Sequence, residues 1–193
     1  MSESEFDVEP IRGLPEKPPQ GEYVLWQGVP SMQGIVRHAF YARILAGYFL
    51  VLIGVSAGVA LAEGHGLAVV LQRAPWLVGF AVFVMAIAWL LAWLIHRTTV
   101  YTITNRRLVM RFGLALPMAV NIPFSIVESA GKREYGNGAG DIALTLKRDQ
   151  SPAYLLMWPH VRPWKLGRPE PMLRAIDDID GVAELLTKSL KAV

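Results

Sequence analysis

The segment Met157-Trp-Pro-His-Val-Arg-Pro-Trp164 gathers two tryptophans, a histidine and an arginine into eight residues. Such side chains can ligate metals, move protons or anchor a partner. Metal or acid–base chemistry would need companions. The other histidines, His38, His65 and His96, are far apart in the chain, with no i, i+4 pair and no HExxH pattern, so no zinc site is expected. Cysteine is absent, which removes thiolate nucleophiles, iron–sulfur clusters and Cys-ligated zinc. Gly136-Asn-Gly-Ala-Gly140 is glycine-rich but lacks the Lys-Ser/Thr of a phosphate-cradling loop, and reads as a hairpin loop. Ser125, Ser129 and Ser151 have no nucleophile-elbow context. No catalytic or metal residue is therefore expected, and the chain does not read as an enzyme.

Pro159, Pro163, Pro169 and Pro171 leave little regular structure between Trp158 and Glu170. A stiff strap loses little entropy on binding. Trp158, Arg162, Trp164 and Arg168 are the expected partner-docking residues. Trp158 has a second reading, since Tyr154, Leu156 and Trp158 alternate as one face of a strand.

The elements that hold this strap follow from composition. Hydrophobic residues make up 53% of the 193 residues and charged residues only 18%, against about a quarter charged in soluble domains. Residues 44–62 and 75–95 are uncharged apolar runs, each close to the roughly 20 residues that cross a hydrocarbon core. They predict two transmembrane helices joined by a link at 63–74. The first starts too far into the chain for a signal peptide. Arg37 and Arg43 before the first run and Arg97, Arg106, Arg107 and Arg111 after the second outweigh the lone Arg73 of the link. The positive-inside rule then places both termini in the cytoplasm and the link outside. The run 112–127 is not a third span, because Pro117, Asn121 and Pro123 interrupt it.

Residues 1–21 form an acidic tail. Over 97–174, nine Arg and three Lys face five acids. A basic domain fixed at a membrane meets anionic lipid or an acidic partner more naturally than nucleic acid. Arg97, Arg106, Arg107 and Arg111 are the expected lipid contacts. Gly54 and Gly58 allow close helix approach, either to another subunit, such as a second copy, or to Ala81, Ala88 and Ala92 of the chain's own second helix. His96, at the inner end of the second run, could ligate the metal of a pigment beside Trp89 and Trp93, or simply sit solvated at the interface.

Beyond the runs the period changes. Thr98–Thr104 is β-branched and aromatic, and Leu108, Met110 and Phe112 alternate with Arg107, Val109 and Arg111. Ile142–Leu146 reads as another strand, with a hairpin turn over 147–152. From Asp180, read as the N-cap, Val182, Leu185, Leu186 and Leu190 mark an amphipathic C-terminal helix. The expected fold is membrane α+β: a tail (1–21), a pre-membrane strand and linker (22–43), the helical hairpin, and a β-rich domain (97–193).

Tyr101-Thr-Ile-Thr-Asn-Arg-Arg107, directly after the hairpin, with Gly21-Glu-Tyr-Val-Leu-Trp-Gln-Gly28 before it, resembles the bacterial pleckstrin-homology-like membrane proteins. Trp158–Trp164 with Arg168–Arg174, Gly13–Pro19 and Gly140–Ile142 narrow the resemblance to the photosynthetic-complex assembly proteins of purple bacteria. That resemblance implies that residues 22–27 join the cytoplasmic sheet. It also implies a non-catalytic helper for the reaction centre with a secondary effect on the core light-harvesting complex. A membrane-anchored lipid-binding scaffold with no photosynthetic partner is the competing expectation.

Overall fold

The computed structural model describes residues 13–14, 16–64, 66–113, 117–147 and 153–192. Most of the acidic tail and the turn at 148–152 lie outside them. The chain divides into a helical unit, residues 36–93, and a β-rich unit built from the residues before 36 and from 94 onward.

The helical unit holds the long helix Ala42–Ala62 and most of a second, Gly66–Thr98. Both are long and apolar enough to cross a membrane. Phe49 is buried against the ring of Phe80 at 5.9 Å, and Ala60, Ala88 and Ala92 are buried. Most large apolar side chains, among them Ile44, Leu50, Val51, Val82 and Phe83, are exposed. The second helix begins nine residues before the predicted span. Most of residues 66–74 are good helix formers, and Pro75, which a span could start at, sits inside the helix instead. Its 33 residues extend about 50 Å at 1.5 Å per residue, longer than a hydrocarbon core of about 30 Å. A Cβ built on Gly54 or Gly58 meets nothing within 4 Å among the described residues. The hairpin therefore does not use them for its own packing.

The β-rich unit contains two antiparallel sheets. One has the order β1-β2-β3-β4, the other β5-β6-β7. The first comprises β1 (Val24–Gly28), β2 (Val100–Thr104), β3 (Arg107–Phe112) and β4 (Met118–Pro123). The second comprises β5 (Val127–Glu134), β6 (Gly140–Leu146) and β7 (Met172–Ile176). Tyr101, Ile103, Leu108 and Met110 of the first sheet share one core with Ile142, Leu144 and Leu173 of the second and with Val182 and Leu186 of the C-terminal helix, Ile179–Lys191. Within the run 112–127, the described residues 118–126 fold as β4 and a 3-10 turn, Phe124–Ile126. Glycine at positive φ in positions 136 and 138 turns β5 into β6.

The Thr104–Arg107 corner explains its own sequence. Thr104 Oγ1 accepts from the Arg106 and Arg107 amides and closes the β2–β3 turn. Asn105 accepts from the Tyr23 amide at 3.1 Å and donates to the Gly21 carbonyl at 3.0 Å. Arg107 Nε reaches the buried Glu22 carboxylate at 2.6 Å. β1 then pairs with β2 from Val24↔Thr104 to Gly28↔Tyr101. One corner thus sews the segment before the hairpin to the segment after it.

The C-terminal helix is capped by Asp178, whose side chain accepts from the Gly181 amide at 3.0 Å, and not by Asp180. Asp180 instead pairs with Lys132 of β5. Asp178→Ala is expected to cost about 1 kcal/mol of stability, read as a lower thermal midpoint, with Asp180→Ala costing less.

Candidate interaction site: the proline-rich strap

Residues 153–171 cross from β6 to β7. Tyr154–Met157 is one helical turn, not the predicted strand. Helical spacing turns Met157 into the core and leaves Trp158 half exposed, against the reading of Trp158 as part of a buried strand face. The Trp158–Pro159 bond is cis.

His160 is the anchor. Its ring is buried against Phe112 at 4.9 Å and edge-on to Tyr101 at 5.6 Å. The Arg174 amide donates to the Tyr101 hydroxyl at 3.2 Å, so the hydroxyl proton is free to be donated to His160 Nδ1 at 2.7 Å. Nε2 then carries the imidazole proton and donates it to Thr99 Oγ1 at 3.2 Å. Burial, helped by the charge of Arg174, pushes the His160 pKa down to about 3. Burial likewise raises that of Tyr101. This is a neutral, fully hydrogen-bonded core histidine, which ties the strap to the first residue after the long helix Gly66–Thr98.

Beyond His160 the strap doubles back. Val161 bridges Pro171, the Arg162 amide donates to the Glu170 carbonyl at 2.9 Å, and the Met172 amide donates to the His160 carbonyl at 2.9 Å. The buried Glu170 carboxylate takes Arg162 at 2.9 Å, Lys165 at 2.6 Å and the Thr145 hydroxyl at 3.2 Å. Burial alone would raise its pKa, but the two cations outweigh that and hold it below the usual value. Arg168 pairs with Glu128 at 2.9 Å and donates to the Leu146 carbonyl. The guanidinium groups of Arg162 and Arg168, expected to reach for a partner, are thus engaged within the domain.

Trp164 is different. It is 92% exposed and sits at φ +65°, in the left-handed region. A non-glycine residue there costs on the order of 1–3 kcal/mol. Leu155, Leu156 and Leu166 are exposed on the same segment.

The four arginines expected to face lipid separate as well. Arg97 and Arg106 are exposed, and Arg107 is paired with Glu22. Arg111 is only 7% exposed. Alternation placed Arg111 and Val109 on a solvent face, but β3 is buried on both faces from Leu108 onward. His96 donates its Nδ1 proton to the Pro30 carbonyl at 2.8 Å, which leaves the lone pair on Nε2. Among the described residues no group of three or more His, Asp or Glu could hold a metal ion. Sequence reading missed the Tyr101–His160–Thr99 network, because its members lie about 60 residues apart and carry no local pattern.

Two long apolar helices, a β-rich domain completed by a strand from before them and a C-terminal helix define a class. The chain belongs to the bacterial PH domain family, whose model matches residues 40–188. A Rhodobacter capsulatus relative, described as an uncharacterized 23.7 kDa protein in the puhA 5′ region, is 36% identical over 194 residues, covering all of this chain and 90% of the relative. Among solved structures, a DUF1696 family protein with a pleckstrin-homology domain from Shewanella loihica matches 48% of this chain and 71% of its own length. The identity is 8% and the TM-score 0.33.

Proposed function

We propose that this chain is a membrane-anchored assembly factor of the PuhB type, which helps to build the photosynthetic reaction centre of purple bacteria and acts on the core light-harvesting complex indirectly. The observation that carries the reading is the relative 5′ of puhA, similar along the whole of this chain. The motifs at 101–107 and 158–174 agree with it. The hairpin crosses the inner, intracytoplasmic membrane with both termini in the cytoplasm, an orientation that the arginine asymmetry supports. The hairpin's outward faces then contact nascent subunit helices. Gly54 and Gly58 have open space before them, and Phe49, Met85 and Trp89 line an apolar groove between the two helices. The domain holds the subunits' cytoplasmic parts until the complex is complete. The role is one of scaffolding and needs no catalysis.

Mild-detergent capture of the protein from photosynthetically grown cells tests this reading. Reaction-centre or core-antenna subunits are expected in substoichiometric amounts. Removing the gene is expected to lower reaction-centre accumulation several-fold, with the core antenna following. A protein that carries only lipid, with normal reaction-centre levels in its absence, would leave the lipid-scaffold reading in its place. The absorption spectrum of the same eluate addresses pigment. The lone pair on His96 Nε2 is what favours that second reading, and bound bacteriochlorophyll lost in His96→Leu would establish it.

A further inference from the structure

We infer that the tip of the strap is a second, interfacial membrane anchor, in which Leu155, Leu156, Trp158, Trp164 and Leu166 enter the head-group layer of an anionic bilayer. This rests on the reading of the two long helices as membrane spans.

Place is the first argument. Thr99 follows the last residue of the helix Gly66–Thr98, and His160 is hydrogen-bonded to it. Trp164 is four residues from His160, and Leu155 and Leu166 are five and six. At no more than about 3.5 Å per residue, with the reach of the hydrogen-bonded His160 and Thr99 side chains added, all five lie within roughly 30 Å of the point where the chain leaves the helix. The polar layer of a bilayer adds several ångströms beyond the hydrocarbon on each side.

Composition is the second. Trp164 is the most exposed large apolar side chain among the described residues, and Leu155 follows at 85%. Tryptophan favours the head-group layer, where its ring is shielded and its N–H still finds a partner. The other charged groups of the strap are Arg162, Lys165 and Arg168, and its one carboxylate, Glu170, is buried beneath them. Cations with an apolar tip suit anionic lipid.

Conformation is the third. The left-handed backbone of Trp164 is stabilised by the Glu170 brace on either side of it, yet the side chain it presents is almost fully exposed. Strain held so as to expose an apolar ring points to a surface that takes the ring up.

The chain contains no cysteine, so single nitroxide labels can be placed directly. Full-length Leu155→Cys and Leu166→Cys would be labelled in nanodiscs of phosphatidylglycerol and phosphatidylcholine. Val51→Cys on the first long helix and Glu184→Cys on the exposed face of the C-terminal helix serve as references. Relaxation by oxygen and by a water-soluble nickel chelate is then compared. The expected result is an oxygen-to-nickel ratio at 155 and 166 several-fold above that at 184 and approaching that at 51. A ratio at 155 and 166 equal to that at 184, with 51 lipid-like, overturns the anchor and leaves the spans intact. Shielding of 155 and 166 from both reagents also overturns it, in favour of a protein contact. A nickel-accessible label at 51 would instead remove the membrane reading on which the anchor rests.

Discussion

His160→Ala is expected to destabilise the β-rich unit by about 3 kcal/mol, the sum of a lost ring in a packed core and a Tyr101 hydroxyl left without its acceptor. For a unit of this size that lowers the thermal midpoint by roughly 10 °C. The ring does two jobs at once, filling space between Phe112 and Tyr101 and joining Tyr101 to Thr99. The same residue gives a pH signature. Above pH 6.5 the imidazole is neutral both in the fold and in the unfolded chain, and contributes no pH dependence. Between 6.5 and about 3 the unfolded chain takes up a proton that the fold refuses. Stability then falls with decreasing pH by about 1.4 kcal/mol per unit. Thermal midpoints across pH 7 to 4 should show this loss in the wild type and a flatter profile in His160→Gln. An unchanged slope in the variant would assign the acid sensitivity to other groups.

The second large effect is at Glu170. Glu170→Ala removes the carboxylate that gathers Arg162, Lys165 and Thr145. Both cations are about half exposed and recover water, so the expected cost is about 2 kcal/mol, below the 3–5 typical of a fully buried pair. The loss should be local. Amides of 162–168 are expected to exchange about tenfold faster while those of β2 and β3 keep their protection. Because the folded carboxyl lies below its ordinary pKa, this stabilisation is present above about pH 4.5 and is lost as pH falls below it. In Glu170→Gln that acid dependence should vanish. Uniform loss of protection across the domain would show that the brace is not local.

Much of this architecture is legible in the sequence wherever one periodicity dominates. The two apolar runs, the β2–β3 alternation and the C-terminal helix each follow a single pattern over several residues. β5 does not. Its residues are exposed on both faces, so Val127–Glu134 shows no apolar alternation to read. β7 fails for the opposite reason, and in β3 the alternation finds the strand but misplaces one face. Buried on both faces, they hide Arg174 and Arg111 where alternation would put solvent. Tyr154–Trp158 carried a false signal, since five apolar residues fit a strand as well as a helical turn, and only tertiary packing chooses Met157 over Trp158. In the strap the residue types were informative but their assignments were not. Arginines that look like docking groups satisfy a carboxylate eight residues on or a strand forty residues back, and no local pattern records either partner.

The pairing of β1 with β2 has a consequence for synthesis. β1 leaves the ribosome about 70 residues before its partner, on the order of 4–15 s earlier at bacterial elongation rates. During that interval it has no sheet to join. If both spans insert, the two strands emerge on the same side of the bilayer and the Asn105 clamp can close on Gly21 and Tyr23. If only one inserts, the strands are left on opposite sides, the sheet has no first strand and the core stays open to proteolysis. Splitting a domain around two helices long and apolar enough to cross a membrane would make its closure a check that the two had not been separated by a single crossing.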